Sequence, residues 1–152
     1  MAGVSNILTW DDRETQAMLK KVIGRMDDLR PVMKAFGEYM LVETEKRFAG
    51  EHDPEGRPWK PLSRTTLENK EYGTKILTGR GHRGGLRGTI AYSAEKKKVA
   101  VGTSKVYGAI HQLGGKAGPN RQVTIPARRY LGITDENRQE FVMIVKDHLE
   151  GR

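Results

Sequence analysis

The chain has 152 residues, no cysteine, 18 glycines and a formal charge of +8 at neutral pH. That is one domain's length, and without cysteine there is no disulfide framework, thiolate metal site, iron–sulfur cluster or cysteine nucleophile. No stretch approaches the roughly 18 apolar residues of a membrane span, and the first twelve residues have neither the basic start nor the long apolar run of a secretory signal, so a soluble protein made in a cytosol is expected.

The charge is unevenly placed. Residues 1–52 carry a net −1, residues 53–133 a net +11 and residues 134–152 a net −2. Ten of the 18 glycines fall between Gly79 and Gly118. This predicts one α+β domain with N-terminal helices (1–50), a loop-rich basic part holding a small antiparallel sheet with long basic loops (51–133), and a C-terminal helix (134–152). The basic part could face nucleic acid or an acidic protein partner, or be a solvated surface.

Met18, Leu19, Val22, Ile23 and Met26 recur at helical spacing, with Thr9 or Asp11 as the cap. Pro31 ends that pattern and suits the first turn of a second helix. Val32, Met33, Phe36, Met40 and Phe48 give its apolar stripe, and Gly50 its stop. Methionines at such spacing read as core or interface filler rather than as a cofactor box.

Residues 51–63 hold three prolines and Gly56, so they predict an extended connector whose large apolar anchor is Trp59, pinned to the body or to a neighbouring subunit. Ser63 can cap a short helix through Thr66, Leu67 and Lys70. Residues 79–88 read Gly-Arg-Gly-His-Arg-Gly-Gly-Leu-Arg-Gly. Such a stretch could cradle phosphates, but no Gly-Lys-Ser/Thr closes it and no aromatics interleave it for base stacking. A flexible insertion, ordered on contact, is the expectation.

Residues 89–93 and 98–102 alternate as two strands of a hairpin, with Lys96 to Lys98 in the solvated turn. Residues 107–113 predict one or two helical turns ending at Gly114 and Gly115. A second basic loop follows to Gln122, then a short strand at 123–125 stopped by Pro126. Phe141, Ile144, Val145, His148 and Leu149 share one face of the last helix, capped by Thr134 or Asp135 and ended by Gly151.

The four histidines, His52, His82, His111 and His148, show no metal-ligand spacing, and no His-Glu-x-x-His occurs. His52 beside Asp53 is a weak ligand pair. His111 could act as a general base, but no nucleophile or orienting carboxylate stands near it in sequence; a hydrogen-bonded structural histidine is the simpler reading. The serines lack a Gly-x-Ser-x-Gly elbow. No catalytic, metal or cofactor residue is expected, and the chain does not read as an enzyme.

The order of motifs resembles the phage virion morphogenesis, or tail completion, family of Mu-like and related tailed phages. The pieces are Asp53-Pro54-x-Gly56-x-Pro58-Trp59-x-Pro61-Leu62, Lys70, Ile76-Leu77-x-x-Gly79, Leu86-Arg87, Val99-x-Val101-Gly102-Thr103, Tyr107-x-x-Ile110-His111-Gln112-x-Gly114-Gly115, and Ile125-Pro126-Ala127-Arg128-x-x-Leu131-Gly132. They cover about residues 15–150. Residues 80–84 intervene where the family runs directly into Leu-Arg, and Tyr130 stands at a phenylalanine position. The resemblance implies a virion assembly protein, made in the host cytoplasm and placed at the head–tail junction or on top of the tail. It implies a small α+β subunit in a homo-oligomeric ring, a hexamer by default, beside other neck, connector or tail proteins. No catalytic residue or cofactor comes with it.

A ring needs heterologous contacts between copies. The connector 51–63 and the basic loops 79–88 and 114–122 would be its arms, mobile until assembly. Trp59, Tyr107, His111, Arg128 and Arg129 are the candidate interface residues, with a salt bridge inside the subunit as the alternative for Arg128. Arg80, Arg83, Lys116 and Arg121 would line a channel for DNA and touch phosphates without reading bases. The competing reading is a free basic nucleic-acid-binding protein that uses the Gly-Arg loop and the Lys96 to Lys98 turn.

Overall fold

The computed structural model describes residues 13–80 and 84–152. The proposed caps Thr9 and Asp11 lie outside them, as do His82 and Arg83. Helix α1 (Arg13–Asp27) has the expected periodicity, yet none of its residues is buried. Asp28 Oδ1 accepts from Arg30 N at 3.0 Å, and Pro31 sits in the first turn of α2 (Arg30–Gly50), where its missing N–H costs no helical bond.

Helix α2 is the axle of the molecule. It buries Val32, Met33, Phe36, Met40, Thr44, Arg47 and Phe48 along its length, a stripe of period 3.6. The Thr44 hydroxyl donates to Met40 O at 2.8 Å, which satisfies a buried polar group inside the helix. The helix runs through Gly50, and Glu51, not Gly50, takes the left-handed cap conformation at φ 54°. The C-terminal helix α5 (Asp135–Glu150) packs on one side of α2, with Phe141 edge-on to Phe36 at 5.0 Å. Its N-cap is Thr134, in a reciprocal pair with Asn137, and Gly151 ends it as expected.

A hairpin of β1 (Ile90–Ala94) and β2 (Val99–Thr103) packs on another side of α2. Gly37 permits this crossing: a Cβ there would stand 2.4 Å from the Tyr92 ring. The turn lysines Lys96 to Lys98 are exposed, closed by Glu95 N donating to Lys98 O at 2.8 Å.

The short α3 (Arg64–Asn69) is capped by Ser63, which accepts from Thr66 N, and α4 (Gly108–Leu113) ends at Gly114. The expected basic loop after α4 is instead half a second hairpin: β3 (Gly115–Ala117) pairs antiparallel with β4 (Val123–Ile125), Gly115 opposite Ile125. Among the described residues the β content is thus two separate two-stranded sheets rather than one. Among the described residues no helix is long and apolar enough to cross a membrane.

The core lies at the C-terminal end of α2, where Phe48, Trp59, Ile76, Leu86 and Tyr130 form one buried cluster. Its members come from α2, the connector, the segment before residue 79, the end of the Gly-Arg stretch and the segment before α5. Trp59 lies edge-on to Phe48 at 5.4 Å, and Tyr130 is 5.5 Å away. Burying each such ring contributes about 2–3 kcal/mol.

Candidate functional site

The segments that carry the sequence motifs meet around this cluster, and backbone bonds decide how. In the connector, Asp53 Oδ1 accepts from Arg57 N and Oδ2 from Arg57 Nε, both at 2.8 Å. Burial raises the Asp53 carboxyl, but the bonds from Arg57 outweigh it and hold the group below the usual carboxylate range. Trp59 Nε1 then donates to Arg129 O at 3.0 Å. The connector is therefore folded onto its own subunit, not a mobile arm, because a 5 % exposed tryptophan with its N–H bonded has no reason to leave.

The Pro-Ala-Arg segment is gripped from two sides. Arg128 Nε donates to Lys60 O at 2.8 Å and Nη2 to Pro61 O at 3.0 Å. Arg128 N donates to His111 O at 2.7 Å. Gln112 Oε1 accepts from both Tyr130 N and Leu131 N at 3.0 Å, while its Nε2 donates to Leu131 O at 2.8 Å. The Tyr130 hydroxyl donates to Gly108 O at 3.0 Å. A side chain at Gly108 would collide with Thr103 and that hydroxyl, so glycine is required there.

Arg47 closes the other end. Its Nη1 donates to Tyr130 O (3.2 Å) and Gly132 O (3.0 Å), and its Nη2 to Asn137 Oδ1 (3.2 Å). Asn137 Nδ2 passes the chain on to the Tyr39 hydroxyl at 2.9 Å. Burial lowers the Arg47 guanidinium below its ordinary value, yet it stays charged. Arg87 is likewise buried and forks onto the Glu45 carboxylate, its Nε 3.0 Å from each oxygen.

The expected site residues therefore part company. Trp59 and Arg128 are used inside the subunit, and Arg128 binds backbone carbonyls rather than the carboxylate that a salt bridge needs. Arg129 is half-buried and paired with Glu55 at 2.9 Å. Tyr107 remains exposed, its ring edge-on to His111 at 6.1 Å. His111 is half-buried, and its Nδ1 is buried with no hydrogen-bond partner among the described residues, contrary to the hydrogen-bonded histidine expected. Burial, then the neighbouring Arg128 charge, lowers its pKa.

Of the channel candidates, Lys116 and Arg121 are exposed on the β3–β4 hairpin, and Arg80 is exposed with its guanidinium over the Tyr72 ring at 5.3 Å. Arg83 lies outside the described residues. The stretch 79–88 is not a free insertion at its C-terminal end: Leu86 is 2 % exposed, and Thr78 bridges Gly85.

Sequence reasoning missed Arg47, Gln112 and Asn137. Arg47 shows as a cation inside an apolar stripe, and Asn137 three residues after the cap Thr134 is a capping-box position. Gln112 stands in the Tyr107 to Gly115 motif, but nothing in the sequence names its partners Tyr130 and Leu131.

Beside this frame runs an open groove of about 810 Å³. Its walls come from the connector, α3, the 77–79 and 85–86 segments, α4 and β4. Leu62, Leu77 and Ile125 make it largely apolar, and Lys60, Lys70 and Arg128 are its cations. No carboxylate lines it among the described residues. Nor do the described residues gather three or more metal-ligating side chains.

The phage virion morphogenesis family profile matches residues 10–150. The chain is 28% identical over 139 residues to "Mu-like prophage FluMu G protein 2" of Haemophilus influenzae, covering 91% of each chain. It is 29% identical over 137 residues to "Putative capsid assembly protein G" of Escherichia phage Mu, covering 86% of this chain and 85% of that one. No solved structure matches at a significant level.

Proposed function

Because the chain belongs to the phage virion morphogenesis family, with a structural or assembly role in making the phage particle, we propose that it acts at the head–tail junction as a homo-oligomeric ring, in tail completion and head–tail joining. The observation that carries this reading is α1. A 15-residue helix is marginal alone in water. This one leaves Met18, Leu19, Ile23 and Met26 between 52% and 69% exposed. Val142 and Met143 on α5 are exposed too. An apolar stripe that nothing among the described residues covers marks an interaction surface, and a stripe meeting a different patch on the next copy closes a ring.

A hexamer is the default by analogy with tail symmetry. Neck, connector or tail proteins would be its neighbours in the virion. Tyr107, exposed beside His111, stays available for such contacts. The reading contains no catalytic step. Arg80, Lys116 and Arg121 would meet DNA phosphates without reading sequence.

The test is electron microscopy of the purified protein and of particles made without it. Rings, together with unjoined heads and tails in its absence, support the reading; normal particles without the protein end it. The second reading, a free nucleic-acid-binding protein, draws on the +11 segment and its exposed lysine turn. It expects the isolated subunit to bind DNA with an affinity that falls steeply with salt.

A further inference from the structure

The groove beside the core has an unusual wall. Val123, Thr124, Ile125 and Pro126 all line it, whereas no residue of β3 does. Side chains of a strand alternate between faces, so consecutive residues facing one space mean that the strand's edge, not a face, borders it. That edge of β4 is unpaired: among the described residues β3 is its sole strand partner. A free edge with Val123 51% exposed is a template for one more strand. Its surroundings select the incomer, because an apolar groove with three cations and no lining carboxylate suits an apolar, acidic segment.

The chain has such a segment outside the described residues. Residues 1–12 contain Val4, Ile7, Leu8 and Trp10, end in Asp11-Asp12, and hold no Lys or Arg. Ile7, Thr9 and Trp10 are of strand-favouring residue types. Fully extended, twelve residues reach about 40 Å.

The proposed ring directs this segment to another copy, since closing it needs a contact that leaves the subunit. Arg25 ties the C-terminal end of α1 to the C-terminal end of α5: its Nη1 donates to Leu149 O at 2.7 Å, and its O lies 3.1 Å from His148 Nε2. The contacts of Phe36 with Phe141 and of Arg47 with Asn137 run α5 antiparallel to α2. The tie is therefore at the start of α2, while the groove borders Leu86, which packs in the cluster of Phe48, about 27 Å further along that helix. Half-buried only at Val22 and Arg25, α1 packs on α5 and not along α2 toward the groove.

We infer that residues 1–12 of one subunit add a strand to the free edge of β4 in the next, seating apolar side chains in its groove and Asp11-Asp12 near its cations. This rests on the homo-oligomer proposed above and names one of its contacts. It makes the joint heterologous, arm into groove, as ring closure requires.

The absence of native cysteine gives a clean test. Full-length Leu8→Cys protein is mixed with full-length Val123→Cys protein and oxidised mildly; Lys97→Cys on the exposed β1–β2 turn replaces Val123→Cys as the control. Light scattering of the unsubstituted protein is read in parallel. The expected result is a disulfide-linked pair of Leu8→Cys with Val123→Cys, at least tenfold over the Lys97→Cys control, weakened by Asp11→Asn/Asp12→Asn. A multimer with no such preference overturns the arm but leaves the ring standing. A Leu8→Cys/Val123→Cys double variant that closes only within one chain overturns the exchange between copies. A monomer at every concentration, with no cross-link, removes both readings.

Discussion

Helices α1 and α2 carry the same kind of message in sequence and meet opposite fates. Both have methionine-rich apolar stripes at helical spacing. In α2 every turn of the stripe is buried, from Val32 to Phe48; in α1 none is. Periodicity specifies a helix with an apolar side but is silent on what covers that side. The difference separates a helix that builds the subunit from one that, in the proposed ring, would join subunits.

The comparison can be broken most forcefully from the α2 side. Phe48→Ala should cost about 4 kcal/mol, since a fully buried ring facing Trp59 and Tyr130 leaves a cavity; chemical denaturation would read it. Arg47→Met should cost about 3 kcal/mol by stripping the buried Tyr130 and Gly132 carbonyls of their donor. Met would fill much of the volume, so a cost well under 1 kcal/mol would show that those bonds contribute little. On α1 the same kind of change should be nearly silent in the monomer. Ile23→Ser is expected to move dilute-solution stability by no more than about 0.5 kcal/mol, while shifting the sedimentation profile at high concentration away from multimers. A large loss of monomer stability there would make α1 a core helix after all.

The smallest expected effect concerns pH. His111 has a folded pKa below its unfolded one, because burial and the Arg128 charge disfavour the imidazolium. The unfolded chain then binds the extra proton first. His111 therefore contributes no penalty above its unfolded value near 6.5 and a growing one as pH falls below it. His111→Gln should flatten the loss of thermal stability between about pH 7 and 5, measured against the parent protein. Asp53 has the same sign at lower pH: bonded to Arg57, it stabilises above the ordinary carboxylate range, and that contribution fades as acid protonates it.

Much of the fold was legible because local rules and tertiary packing agreed. Pro31 after an interrupted pattern marked the α1–α2 break, Ser63 and Thr134 marked their helices, and the alternation at 89–93 and 98–102 marked a hairpin now seen one residue further on. The candidate site was less legible, and Trp59 shows why. A tryptophan among prolines announces an anchor, but its partners, Phe48 and the Arg129 carbonyl, lie far away in sequence. Arg128 reads as a surface charge until the carbonyls of Lys60 and Pro61 come within reach. Most of the motifs that mark the family are thus the joinery of the subunit, and its outward surfaces carry less of the signal. The β3 strand escaped notice because Gly115, Lys116 and Ala117 have low strand preference; pairing with 123–125 makes them a strand.

The bonds of Arg128 N to His111 O and of Gln112 to residues 130 and 131 staple together the two ends of everything between them. The β3–β4 hairpin is consequently a cassette: its tip can be lengthened, shortened or swapped without tugging on the frame that carries it. Mutational drift and engineered insertions should be absorbed around residues 118–121, where a fluorescent or affinity label could be hung while the subunit beneath keeps its shape.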